Sequence, residues 1–237
     1  MEEFQNQTNQ GLLVSQTDDA AQVAFYKQTY AHVAGGVLVF ILFEYLLLQS
    51  DTVVNFMLSM TNGYKWLLLL GGFMFITNYA ESTALKSQNK NLQYLAYAAY
   101  IFAEAVIFVP LIYIAATFTA SGPEILQQAG IVTLSLFTGL SAVVFITKKD
   151  FSFLRTGLTV GFFIAIGLII AGSLFGFNLG LWFSVGMCLL AGGSILYQTS
   201  NLIHKYQQDQ YIPAALGLFA ALMLLFWYVL QIFMSRD

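Results

Sequence analysis

Long apolar runs separated by short polar breaks set the pattern of this chain. The runs fall at Ala31–Gln49, Tyr64–Ala80, Leu92–Thr119, Gln127–Thr147, Phe153–Leu174, Asn178–Thr199 and Ile212–Met234. A bilayer-crossing helix needs about 20 mostly apolar residues, and each run comes near that length. The apolar stretches are continuous rather than alternating, which argues against a membrane β-barrel. Breaks as short as Lys148-Lys149-Asp150 and Phe175-Gly176-Phe177 make successive helices antiparallel neighbours in one bundle. The predicted fold is an all-α integral membrane protein, a seven-transmembrane-helix bundle. Residues 1–29 are expected as a polar cytoplasmic tail and 30–237 as the membrane domain. The second run is short, about 17 residues, so six spans with a re-entrant segment is the alternative. Small residues cluster in the fifth run (Gly157, Gly161, Gly167), the sixth (Ala191, Gly192, Gly193) and the seventh (Ala214, Gly217, Ala221). There they let helix backbones approach, and they suit the last helix to a crowded position.

Composition supports the membrane reading, with 58% hydrophobic and 9% charged residues against about 25% charged in soluble chains. The remaining loops leave no room for a soluble catalytic domain. If the loops alternate sides, Lys27, Lys86, Lys90, Lys148, Lys149, Arg155 and Lys205 share one side, against Lys65 and Arg236 on the other. Basic residues gather on the cytoplasmic side, so the N-terminus is expected inside and the C-terminus outside. The first 30 residues lack the basic start and small-residue cleavage site of a secretory signal, so the first span is expected as an uncleaved anchor. Residues Gln5 to Gln10 read as an accessible polar segment able to meet cytoplasmic partners. Scattered basic residues form no stripe for nucleic acid.

Catalytic readings find little support. No lysine stands inside the seventh span for a retinal Schiff base, no H-E-x-x-H occurs, and His32 and His204 sit at span ends. With Cys188 the only cysteine, no cofactor or structural metal is expected. Chemistry concentrates instead at two carboxylates inside spans, Glu44 in the first and Glu104 in the third. An ionised acid at the bilayer centre costs a few kcal/mol, so such residues face a bundle interior, a partner or water. At 1.5 Å per residue Glu44 lies about 20 Å and Glu104 about 18 Å into its span, similar enough in depth to share a proton if the helices are adjacent. Gln93, Tyr97 and Tyr100 precede Glu104 by 11, 7 and 4 residues, so the four are expected as one polar stripe on a helix face. Asn78, Ser135, Thr138, Ser141 and Gln231 are expected to bond helices together.

The segment Lys148-Lys149-Asp150-Phe151-Ser152-Phe153-Leu154, the run Ile195-Leu196-Tyr197-Gln198-Thr199-Ser200-Asn201, Asp209 and the Ala215–Phe233 helix ending near Arg236 resemble the Bax inhibitor-1 family, in its bacterial inner-membrane branch. The resemblance implies six helices around a central last one and a pH-sensitive calcium leak, or alternatively a non-conducting modulator of a membrane-bound AAA protease. It also implies a proton-controlled latch of two aspartates on the sixth and seventh spans. Those positions fall on Gln198 and Ala221, and the family's arginine near the end of the last helix falls on Gln231. Neither an amide nor a methyl titrates, so a leak for calcium or protons would have to do without that latch, with Glu44 and Glu104 as the candidates for its path.

Overall fold

The computed structural model describes residues 12–236. Among these, eight α-helices follow a single 3-10 turn at Val14–Gln16: α1 (Asp19–Leu48), α2 (Asp51–Ser59), α3 (Tyr64–Lys86), α4 (Lys90–Phe118), α5 (Glu124–Thr147), α6 (Leu154–Phe175), α7 (Gly180–His204) and α8 (Tyr211–Met234). Six of them, α1 and α4 to α8, are long and apolar enough to cross a membrane. The expected second span, α3, has the length at 23 residues but carries Asn78, Glu81 and Lys86 in its second half and falls short in hydropathy.

Two boundaries differ from the apolar pattern. Helix α1 begins at Asp19, ahead of the expected Ala31, so residues assigned to the polar tail are helical. Asp18 caps it, its carboxylate accepting from the Ala21 amide at 2.7 Å, and Asp19 adds negative charge at the positive helix end. Buried Phe25, Thr29, Val33, Gly36, Phe40 and Glu44 recur every three or four residues along the whole helix. At 30 residues α1 is about 45 Å long, more than the roughly 30 Å hydrocarbon core, so one end projects. Between α1 and α3 the unanticipated α2 starts at a Ser50 cap and buries Val54 and Met57 against Val109 of α4.

Helix α8 is the axis. It packs on α7, α5, α1, α4 and α3, and buries residues on every side, Leu216, Leu218, Phe219, Leu225 and Leu230 being almost wholly enclosed. Only an evenly apolar helix tolerates that position. Helix α6 is the opposite case: it touches α7 and α3, and Ala165 is its one buried residue among those described. Of the small residues expected to draw helices together, Gly161 meets Leu190 and Gly193 meets Leu158 across the α6–α7 contact, whereas Gly157 and Gly167 face open space.

Contacts fix which ends lie together. At the lysine-rich end the Lys90 ammonium donates to the Asp209 carbonyl, and the Phe151 amide donates to the Ser200 hydroxyl at 2.9 Å. At the other end the Ser184 hydroxyl donates to the Gln231 side chain at 3.1 Å. Residues 12–18 form a strap across the lysine-rich end. Leu13 pairs antiparallel with Gln207, the Val14 amide donates to the Tyr206 carbonyl at 2.9 Å, and the Val14 side chain is fully buried. The residues of the expected tail before Leu12, Gln5 to Gln10 included, lie outside the described residues.

Two expectations follow. Val14→Ala should cost about 2 kcal/mol, the scale of truncating a buried aliphatic side chain, and lower the melting temperature of the detergent-solubilised protein. The Ser152 hydroxyl and amide hold the Asp150 carboxyl below the usual carboxylate range, with Ser200 adding a hydrogen bond. A depressed folded-state value means this contribution is complete above the ordinary carboxylate range and is lost as pH falls through the depressed value. Asp150→Asn should therefore flatten the acid limb of a melting-temperature series against pH, leaving neutral and acid values closer together than in the parent.

Candidate functional site: a cavity along the last helix

Where α6 stands off from α8, a partly open cavity of about 1620 Å³ lies between α3, α4, α6, α7 and α8. Its wall follows the whole inner faces of α3 and α6: Trp66, Leu70, Phe73, Thr77 and Glu81 on one, Arg155, Leu158, Phe162, Ile169 and Gly172 on the other. Each series steps by three, four or seven residues, the repeat of one helix face.

The cavity has an uneven lining. Towards the lysine-rich end stand Asn78, Glu81, Tyr100, Glu104, Tyr197 and Gln198. Further along, aromatic rings take over: Trp66 stacks on Trp227 at 6.1 Å between centroids, and Phe108 meets Trp227 edge-on at 4.8 Å. Beyond them Asn62, Asn178, Ser184 and Gln231 form a neutral polar rim.

Glu104 is 6% exposed and faces this cavity, with the Tyr100 hydroxyl in hydrogen-bond range of its carboxyl. Tyr100 also lies within electrostatic reach of Glu81. Glu81 is a site residue that the apolar pattern hides, because the second run was closed at Ala80 where charge begins. The available signal was helical spacing: Thr77, Asn78 and Glu81 sit three and four residues apart, on the face that the cavity uses.

Glu44 lies elsewhere. It is 5% exposed in α1 and contributes nothing to the cavity wall, and neither of its carboxylate oxygens has a hydrogen-bond partner. The expected proton sharing between Glu44 and Glu104 is thereby excluded in this conformation, since that bond would engage both acids. Depth along two helices says nothing about rotation around them, and rotation turns these two carboxyls apart.

The expected polar stripe divides in the same way. All four members are buried, but only Tyr100 and Glu104 reach the cavity. Gln93 donates to the Ser87 carbonyl at 2.7 Å and accepts from Lys90, closing the turn before α4. Tyr97 turns to α1, where its hydroxyl donates to the His32 carbonyl at 2.9 Å. Gly36 makes room for it, because a Cβ there would collide with the Tyr97 hydroxyl. His32 itself bonds Gln28 and Tyr94.

Gln198 and Ala221, the positions that align with the latch aspartates, both line the cavity. The Gln198 amide lies over Gly217, where an added Cβ would stand 3.1 Å from its atoms, and it accepts from Asn201 at 3.4 Å. Other polar residues do join helices as expected: Ser141 lies 3.4 Å from Thr199 between α5 and α7, and Gln231 is held by Ser184. Asn78 faces the cavity instead, and Ser135 donates to its own helix at Ile131.

An unpartnered buried carboxyl costs stability whichever proton state it takes. Glu44→Leu is expected to stabilise the folded bundle by roughly 1–3 kcal/mol, read as a higher melting temperature, while Glu44→Gln leaves another unsatisfied polar group and gains little. A Leu variant less stable than the parent would show that Glu44 has a partner in the membrane-embedded protein.

Comparison with known proteins finds relatives among membrane and anti-apoptotic proteins. A protein of Pseudomonas aeruginosa described as uncharacterized is 39% identical over 114 residues, covering 48% of this chain and 51% of the relative. Mouse protein lifeguard 4 is 31% identical over 122 residues, half of each chain. The Golgi anti-apoptotic protein of vaccinia virus is 31% identical over 114 residues, 46% of each. The chain thus spans about half the length of these relatives. The family model described as inhibitor of apoptosis-promoting Bax1 matches residues 22–237, helices α1 to α8 almost entire. On that match the chain belongs to the Bax inhibitor-1 family of membrane proteins.

Proposed function

We propose that this protein is a cation leak of the inner membrane whose path runs through the cavity, with its proton response carried by Glu104 and Glu81 in place of a di-aspartate latch. The observation that carries the reading is one of position. Gln198 and Ala221 stand on the same cavity as Glu104, Tyr100 and Glu81, so the acids absent from α7 and α8 face that space from α4 and α3. Glu104 is buried and Glu81 exposed on that wall, and a carboxyl lining a conduit changes the local charge as it titrates whichever helix carries it. The ring cluster of Trp66, Phe108 and Trp227 supplies an apolar belt on that path, and an apolar belt can close a conduit by excluding water.

The lysine-rich end is assigned to the cytoplasm by its excess of basic residues, which places the polar part of the cavity nearer that side. The alternative, a non-conducting modulator of a membrane-bound AAA protease, would use the N-terminal segment. Leu13 and Val14 are engaged by the bundle itself and are not free for such a partner.

Calcium and proton flux in proteoliposomes, measured at a series of pH values around neutrality, tests the leak. The parent should conduct above empty liposomes, and Glu104→Gln should lose most of the pH dependence while remaining folded. Unchanged pH dependence in both Glu104→Gln and Glu81→Gln would remove these acids from the response. No flux of any tested cation from folded protein would favour the partner-binding reading, which deletion of residues 1–11 then tests by co-purification.

A further inference from the structure

We infer that the same cavity is a binding site for lipophilic organic cations, compounds with one delocalised or shielded positive charge on an aromatic or aliphatic body. This does not rest on conduction, because a permanently closed cavity would bind them equally.

Three features converge on that chemistry. The first is size and surface: about 1620 Å³ exceeds the roughly 300–1,000 Å³ of ordinary small-molecule sites, and much of the lining is aromatic or aliphatic. A calcium ion needs six to eight oxygens, which two carboxyls with a few amides and hydroxyls on such walls supply poorly. The second is charge. Glu81 and Glu104 are the acids of the lining among the described residues, and both are within reach of the Tyr100 hydroxyl. At Glu104, which is buried, an ionised carboxylate is costly until a cation compensates it, Glu81 adds an exposed acid at the edge of the wall, and ring faces such as those of Trp66 and Trp227 attract the same charge. A neutral or anionic lipid would leave the acids uncompensated.

The third is access. The α6 wall packs chiefly on α7 and α3 and leaves its outer face exposed, with Val160 and Ile164 more than half open. A compound that partitions into the bilayer therefore meets the thinnest side of the cavity. Arg155, the basic residue of the lining, stands exposed at the lysine-rich mouth and opposes entry of a cation there, which leaves the lateral side as the favoured route.

The test uses the full chain in nanodiscs of neutral lipid, with tetraphenylphosphonium as cation and tetraphenylborate as its size-matched anion. Two of the three tryptophans, Trp66 and Trp227, line the cavity, and Trp182 faces outward, so indole fluorescence reports occupancy alongside equilibrium dialysis. Saturable cation binding that the anion does not compete for is expected, weakened roughly tenfold by Glu104→Gln, since loss of a close charge partner at a desolvated site outweighs that of a surface pair. Ala220→Trp intrudes on the cavity while leaving both acids in the chain and should weaken binding in dialysis, which covers the case in which the Gln variants fail to fold. Equal binding of both probes, or binding that survives both substitutions in folded protein, would overturn the site as mere partitioning. Flux without cation binding would sink this inference alone, and cation binding without flux would sink only the leak.

Discussion

Everything in this molecule is arranged around a helix that has no outward face. Leu216, Leu218, Phe219, Leu225 and Leu230 point in different directions around α8 and are almost completely enclosed. A bilayer offers no gain for burying leucine against leucine rather than against lipid, so such a helix is held by close contact and by the fit of small residues to large ones. Gly217 under Gln198 and Gly36 under Tyr97 are two such fits, and both connect the packing directly to polar groups. Once α8 is fixed, α1, α4, α5 and α7 have one way to lie against it, with aromatic pairs such as Tyr97 and Tyr100 on Phe219 filling the seams.

The cavity is the counterpart of that tight axis. Helix α6 is attached through α7 and α3 rather than through α8, and the space between it and the axis remains open. Its wall grades from carboxyl, phenol and amide groups to rings and then to a neutral polar rim. Polar groups inside a membrane persist where they meet each other or a solvated space. Tyr100 with Glu104 meets that condition, and Glu44, without a partner, does not. Two acids that look alike along the chain thus have different physical standing: one belongs to a cavity, the other is a cost to packing.

The substitution at the family's latch positions gains meaning from the same geometry. Gln198 and Ala221 retain places on the cavity wall, and the acids that share it come from other helices. An electrostatic role depends on where charge sits in space more than on which helix carries it, since Coulomb energy follows distance and dielectric. The strap of residues 12–18 acts near the same end, binding the backbone of Tyr206, whose ring lies within reach of Glu81 and Tyr197. The lysine-rich mouth of the cavity is therefore tied to residues 12–18.

The amino-acid sequence alone determined that this is a helical membrane protein, where six of its spans lie, which family it resembles and that Glu104 stands inside a span, because apolar run length and the position of a charge within it are local quantities. It misplaced the start of α1 and overlooked α2, since caps at Asp18 and Ser50 extend or begin helices where hydropathy reads only polarity. It closed the second run before Glu81 for the same reason. Only the tertiary structure decided that Glu104 shares a cavity with Glu81 and not with Glu44, that Tyr97 and Tyr100 part company, and that α6 leaves a cavity beside α8. Those outcomes depend on how each helix is rotated about its axis and on which neighbours it meets, and both are settled by the packing of the whole bundle at once.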